Sequence, residues 1–179
     1  EKEYNYFLAV IFPHDQLKIL DYNRVLFDLN GMTKEQFFKM LEEKFDFIGE
    51  DSGSPRNQTE FGMYIDGKWY QIRAKKDSFN EKDPIESLDV AILQNNVLDP
   101  LFGIKDPRTD KRIDFVGGIR GIKELEKRVN SGECKVAFAM YPTTLDQLMN
   151  VADSGKIMPP KSTWFEPKLR SGLFVHMLD

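Results

Sequence analysis

The chain has 179 residues, 41% hydrophobic and 30% charged, and a net charge of -4, a composition that excludes wholesale disorder and allows one packed core. No apolar run approaches the ~20 residues that span a bilayer, no signal-peptide pattern is present, and the lone Cys134 excludes an internal disulfide, so the cytoplasm is the expected compartment. Residues 1–104 hold 12 Lys and Arg against 19 Asp and Glu, whereas residues 105–179 hold 13 against 10, so an anionic ligand is to be sought in the second part.

In chain order, "YNYFLAVIFP" is aromatic and β-branched, which predicts a buried strand. "HDQ" turns it into "LKILDYNRVLFDL", an expected partner strand, so that the domain would open on an antiparallel hairpin. Asn30-Gly31 then breaks the strand, and Thr33 with Gln36 three residues on has the spacing of a helix capping box. Phe37, Leu41 and Phe45 follow at four-residue spacing on one helical face. The polar stretch "IGEDSGSPRNQTE" reads as a loop, and Asp66-Gly67 between two apolar runs reads as a hairpin turn. Asp83-Pro84-Ile85-Glu86 has the cap, first-turn proline and early acid of a helix start, with Leu88 and Ile92 on its buried side.

The second part alternates more regularly. "KRIDFVGG" predicts a strand running into a glycine turn, "IKELEKRVNSG" a helix closed by Gly132, and "CKVAFAMYP" a buried strand. Thr144 and Gln147 form a second capping box before a helix that Gly155 ends, and "GLFVHML" reads as a final strand containing His176. With no internal repeat or interdomain linker, residues 1–179 are expected to form a single α+β domain. Its sheet would be largely antiparallel or mixed, built from hairpins, with helices packed against it. The expected core comprises Phe7, Val10, Ile19, Phe37, Leu41, Leu88, Ile92, Phe115, Val136, Phe138, Leu148 and Phe174.

Several chemistries find no support. With only His14 and His176 and one cysteine, no zinc spacing exists, and no Asp-x-Asp-x-Asp calcium loop occurs. A Gly-x-Ser-x-Gly elbow is missing, and Cys134, opening an apolar strand, reads as a small hydrophobe. His14 lies in an expected turn. No dense basic patch with interleaved aromatics is found, which argues against nucleic-acid binding.

Two segments remain. Gly117, Gly118 and Gly121 lie between a strand and a helix, where backbone N–H groups can meet an anion, with Arg112 and Arg120 nearby to add charge. The spacing is neither the dinucleotide fingerprint nor the Walker pattern, and a tight structural turn is the better account of it. The other is "IMPPKSTWFEPKLRSG". Its two prolines hold the backbone extended, Lys161, Lys168 and Arg170 outnumber Glu166, and Ser162 and Thr163 add hydroxyls. Trp164 and Phe165, expected to be mostly buried, would hold it to the core. It is either a structural strap or one wall of an anion-binding cleft, with the glycine turn as the other wall.

The segments "NYFLAVIFPHDQLKILDYNRV", "LDPLFGIKDPRTDKRIDFVGGIRG" and "MPPKSTWFEPKLRSGLF" resemble the family catalogued as domain of unknown function number 1015. The resemblance covers nearly the whole chain and is weakest around Glu50 to Glu60. It implies a longer protein whose upstream half carries an Asp-Gly-His-His-Arg type motif and looks like the ParB/sulfiredoxin nucleotide-binding fold. Distant ParB-like relatives phosphorylate free serine with a nucleotide. No such histidine motif occurs here, so this chain resembles the C-terminal half and no catalytic residue carries over. The resemblance implies an accessory domain, inactive alone, of a ParB-like small-molecule kinase or nucleotide- or phosphate-binding protein, whose partner is the N-terminal half. ATP or ADP would then be a cofactor of the full-length protein, not of this chain. A non-catalytic interaction or scaffold domain is the alternative.

Overall fold

In chain order the elements are β1 (Lys18–Leu20), β2 (Tyr22–Leu26), α1 (Lys34–Leu41), β3 (Phe45–Gly49), β4 (Glu60–Ile65), β5 (Lys68–Ala74) and α2 (Asp89–Leu93). A π-helical turn at Gln94–Leu98 leads into α3 (Asp99–Phe102), followed by β6 (Ile113–Gly117), α4 (Ile122–Asn130), β7 (Val136–Met140), α5 (Leu145–Asp153) and β8 (Trp164–Glu166). This computed structural model describes residues 2–50, 53–168 and 170–178; the side chain of His14, the expected turn histidine, lies outside the described residues.

The fold is α+β. Six strands form one antiparallel sheet in the order β3-β5-β4-β7-β2-β6, and β1 pairs with β8 in a separate two-stranded ribbon. Successive side chains on a strand point to opposite faces, so one face takes Leu26, Phe61, Met63, Ile65, Val136 and Phe138. On it α1 packs through Phe37 and Leu41, and the α2–α3 segment through Leu88, Ile92, Val97 and Phe102. The other face presents Val25, Tyr64, Val116, Ala137 and Ala139 to Leu125 and Val129 of α4. Both faces being covered, β4 and β7 read as nearly continuous apolar runs.

Local signals hold where their chemistry is self-contained. Thr33 and Gln36 form a complete capping box, as do Thr144 and Gln147. Asp66 and Gly67 both take positive φ, at 50° and 77°, as a two-residue hairpin turn with the right twist requires. Replacing Thr33 by alanine removes the oxygen that accepts the Gln36 N–H and is expected to cost about 1 kcal/mol, read as a lowered urea midpoint. An unchanged midpoint would show that this cap adds nothing.

Four expectations are corrected. The opening hairpin does not form: residues 6–13 pair with no strand, and β1, the nearest candidate, pairs with β8. The final strand over 172–178 is also missing, so His176 sits in irregular backbone, with Nε2 2.9 Å from Glu3 O. Phe7 and Phe174 are therefore 84% and 77% exposed and Val10 is exposed too, outside the core to which their apolarity assigned them. The reason is general: apolar composition marks a surface to be covered, whereas a strand needs a ladder partner. Lastly, the helix expected from Pro84 starts at Asp89. Asp83 Oδ1 instead accepts from the Ile85 and Glu86 N–H groups at 2.8 and 3.2 Å, capping an isolated turn.

Candidate functional site

β6 ends at Gly117, and the ring of Trp164 lies directly on that glycine, so a Cβ there would run into the indole. Gly118 donates its N–H to Asp21 O at 2.8 Å and is covered by the Asp21 carboxylate. Gly121 has open space around it but a φ of 69°, which suits a residue without Cβ at the start of α4. The glycine turn and the 157–172 strap thus come together through Trp164, which also meets Tyr22 edge-on at 5.4 Å. The β1–β8 ribbon, pairing Ile19 with Phe165, seats the strap beside the sheet. Trp164 and Phe165 are partly buried.

The Asp21 carboxyl is pushed up by burial, partly offset by the Asn23 amide that donates to it. Asn23 is fully buried and its Oδ1 accepts from Met140 N at 2.8 Å, tying β2 to the end of β7.

The expected site residues divide by what holds them. Lys161 is exposed, with Nζ 5.5 Å from the Tyr22 ring centroid, 5.9 Å from that of Phe115 and 3.5 Å from Tyr22 Oη. Lys168 Nζ stands 4.2 Å over the Trp164 ring. Arg170 is exposed and borders a 340 Å³ groove with Leu8, Val10 and Phe174. Among the described residues no carboxylate lies within ion-pairing distance of Lys161, Lys168 or Arg170. Arg112 is held instead: Asp110 grips it at 2.7 and 3.1 Å, and it donates to Phe102 O at 2.8 Å. Arg120 lies 4.0 Å from Glu124. Ser162 is buried, donating its hydroxyl to Pro159 O and accepting at its carbonyl from Thr143 Oγ1 at 3.0 Å, while Thr163 is partly buried.

Sequence reasoning missed Arg24. It lies on β2, 4% exposed, donates to Tyr22 O and, at 3.0 Å, to Lys161 O, and stacks 5.5 Å from the Phe115 ring centroid. The available signal was an arginine followed directly by "VLF" inside a strand. Cys134 is buried, and burial pushes its thiol up to about 11, so thiolate chemistry has no purchase there. Among the described residues no group of three His, Cys, Asp or Glu is arranged to hold a metal, and no helix is long and apolar enough to cross a membrane.

Residues 1–91 match the profile of the family described as "Protein of unknown function (DUF1015)". No curated protein matches the chain. Among solved structures, a substituted free serine kinase in complex with AMP is similar in fold, with a TM-score of 0.50 and 17% identity, covering 84% of this chain and 55% of that one. A free serine kinase variant in complex with ADP matches at a TM-score of 0.47 and 18% identity, over 88% of this chain and 58% of that one. A conserved hypothetical protein from Pyrococcus furiosus matches at 0.47 and 17%, over 84% and 56%. The chain therefore spans a little over half the length of the solved structures it matches.

Proposed function

Because this chain belongs to the DUF1015 family, we propose that it is the C-terminal, accessory domain of a ParB-like nucleotide- or phosphate-binding protein related to small-molecule kinases. It binds ligand together with the N-terminal half and turns nothing over alone. The observation that carries this reading is the set of unpaired cations on the strap. In a protein of net charge -4, Lys161 and Lys168 rest on aromatic rings and Arg170 borders an apolar groove, all three without a carboxylate partner among the described residues. Cations left open in this way suit the oxygens of a phosphate. The AMP complex of similar fold supports a nucleotide as the source of that phosphate.

A specific observation also favours the scaffold reading. Phe7, Ile11, Phe174 and Val175 are each at least 74% exposed, and apolar surface of that extent marks a contact surface. In the accessory reading the same surface meets the N-terminal half.

The test is calorimetric titration of AMP, ADP and phosphoserine into the full-length protein and its Lys168→Ala/Arg170→Ala variant. The variant is expected to bind the best of these about tenfold more weakly, with its melting temperature nearly unchanged. Equal affinity removes the strap from the site. Phosphorylation of serine or hydrolysis of nucleotide by the isolated chain overturns the accessory role.

A further inference from the structure

A second feature on the inner side of the strap goes beyond that reading. Arg24 carries its charge into the protein without a counter-ion, since no carboxylate among the described residues lies within ion-pairing distance. A guanidinium has five N–H donors. The carbonyls of Tyr22 and Lys161 take two, and the described residues supply no acceptor for the rest. Burying an unpaired charge is costly, and burial draws the Arg24 guanidinium down to about 10, still protonated at neutral pH.

Arg24 opens onto a cavity of about 480 Å³ bounded by β2, the α2 helix with its π-helical continuation, the Lys105–Arg108 loop and the Ile157–Pro160 part of the strap. That volume suits a small molecule. Val90, Leu98, Met158 and Pro159 make its walls apolar, while Arg24, Lys105 and Arg108 supply cations. Asp106 is the one carboxylate among the described lining residues, and Arg108 chelates it at 2.8 and 2.9 Å. Among the described residues nothing compensates Arg24 and Lys105. A carboxylate would neutralise only one of them, whereas a phosphomonoester carries close to two negative charges at neutral pH and has three terminal oxygens to meet the spare donors.

We propose that this cavity binds a phosphomonoester of a small apolar or flat alcohol, its phosphate on Arg24 and Lys105 and its body between Val90, Leu98 and Pro159. The site is separate from the outer cations Lys168 and Arg170 and does not depend on any kinase relation. A prolyl wall and a fixed guanidinium make it a specific pocket where the outer strap offers an open cationic face.

Phenyl phosphate, inorganic phosphate, benzoate and phenol are titrated calorimetrically into the intact protein. Phenyl phosphate is expected to bind about tenfold or more tightly than inorganic phosphate or benzoate, with no heat from phenol. Lys105→Glu, a change at an exposed position, is expected to weaken phenyl phosphate at least tenfold at an unchanged melting temperature. Arg24→Gln removes the anchor, and its melting curve reports whether it folds; Lys105→Glu keeps the test decisive if it does not. Unchanged affinity in Lys105→Glu overturns the proposal, as does benzoate binding as tightly as phenyl phosphate. Loss of phenyl phosphate binding in Lys168→Ala/Arg170→Ala but not in Lys105→Glu also overturns it, by moving the phosphate to the outer strap.

Discussion

Gly62→Ala is expected to destabilise the domain by about 3 kcal/mol. Gly62 lies in the middle of β4, fully inside the six-stranded sheet, and a Cβ there would run into the backbone carbonyl of Gly53. Backbone cannot rotate aside as the end of a flexible side chain can, so the loop over β4 and β5 must lift. Lifting it breaks the 3.2 Å hydrogen bond from Gln71 Nε2 to Ser54 O and uncovers the face of Trp69, on which Gly53 sits. Gly49→Ala provides the control. It lies on β3, its added methyl would meet only Gln71 Cβ at 4.0 Å, and its cost is expected within about 1 kcal/mol, the ordinary price of a surface strand change. Urea unfolding of both variants checks the pair. A Gly62→Ala midpoint equal to that of Gly49→Ala would mean that the loop does not rest on β4.

The second large effect is a fall in stability with rising pH that Asp89→Asn abolishes. Asp89 opens α2, is 6% exposed, and accepts from Thr59 N at 2.9 Å through Oδ1, while Oδ2 is buried with no partner among the described residues. Burial pushes its carboxyl up to about 7; the Thr59 hydrogen bond pulls it down and the neighbouring Glu60 raises it further. The unfolded value is 3.8, so between about pH 4 and pH 7 the folded state holds a proton that the unfolded state has lost. Stability contributed by the neutral acid is fully present below the unfolded value and is lost as pH rises through the folded one.

Glu60 acts in the other direction and at lower pH. Burial raises its carboxyl, but hydrogen bonds from Arg73, at 2.7 Å, Asn57 and Arg56 N–H outweigh that and hold it below its ordinary 4.5. Its contribution is present above that value and lost only as pH falls below it, so the two carboxyls separate on the pH axis. The parent is expected to lose roughly 3 kcal/mol from Asp89 between pH 5 and pH 8. Asp89→Asn keeps the acceptor for Thr59, has nothing to ionise, and is expected to be the more stable protein at pH 8. Urea midpoints at the two pH values measure this directly. Parallel profiles for parent and variant would place the titration elsewhere.

Much of the candidate site was legible as residues and little of it as geometry. Gly117, Lys161 and Trp164 stand out in the chain as parts of a glycine turn and a proline-rich strap, for each of which a purely structural role is also available. Their relation does not: Trp164 lies on Gly117 across some fifty residues, and the guanidinium of Arg24 reaches the carbonyl of Lys161, which is 137 positions away. Arg112 and Lys161 look equally available as charges in a sequence, yet Asp110 holds one and aromatic rings carry the other. Charge counts along a chain carry no information on which cation finds a carboxylate.

The sequence by itself determined the α+β class, both capping boxes, the Asp66-Gly67 hairpin and the strand–turn–helix run from Ile113 to Asn130. Each of these depends on contacts within a few residues, where hydrogen-bond reach and side-chain period decide the outcome. Only the tertiary structure decided that residues 6–13 and 172–178 stay outside the sheet, that β2 lies between β6 and β7, and that Arg24 is buried with no counter-ion among the described residues. Those outcomes turn on which distant segment supplies the ladder or the carboxylate. Local pattern has no access to that choice, because an apolar run or a cation looks the same whether or not its partner arrives.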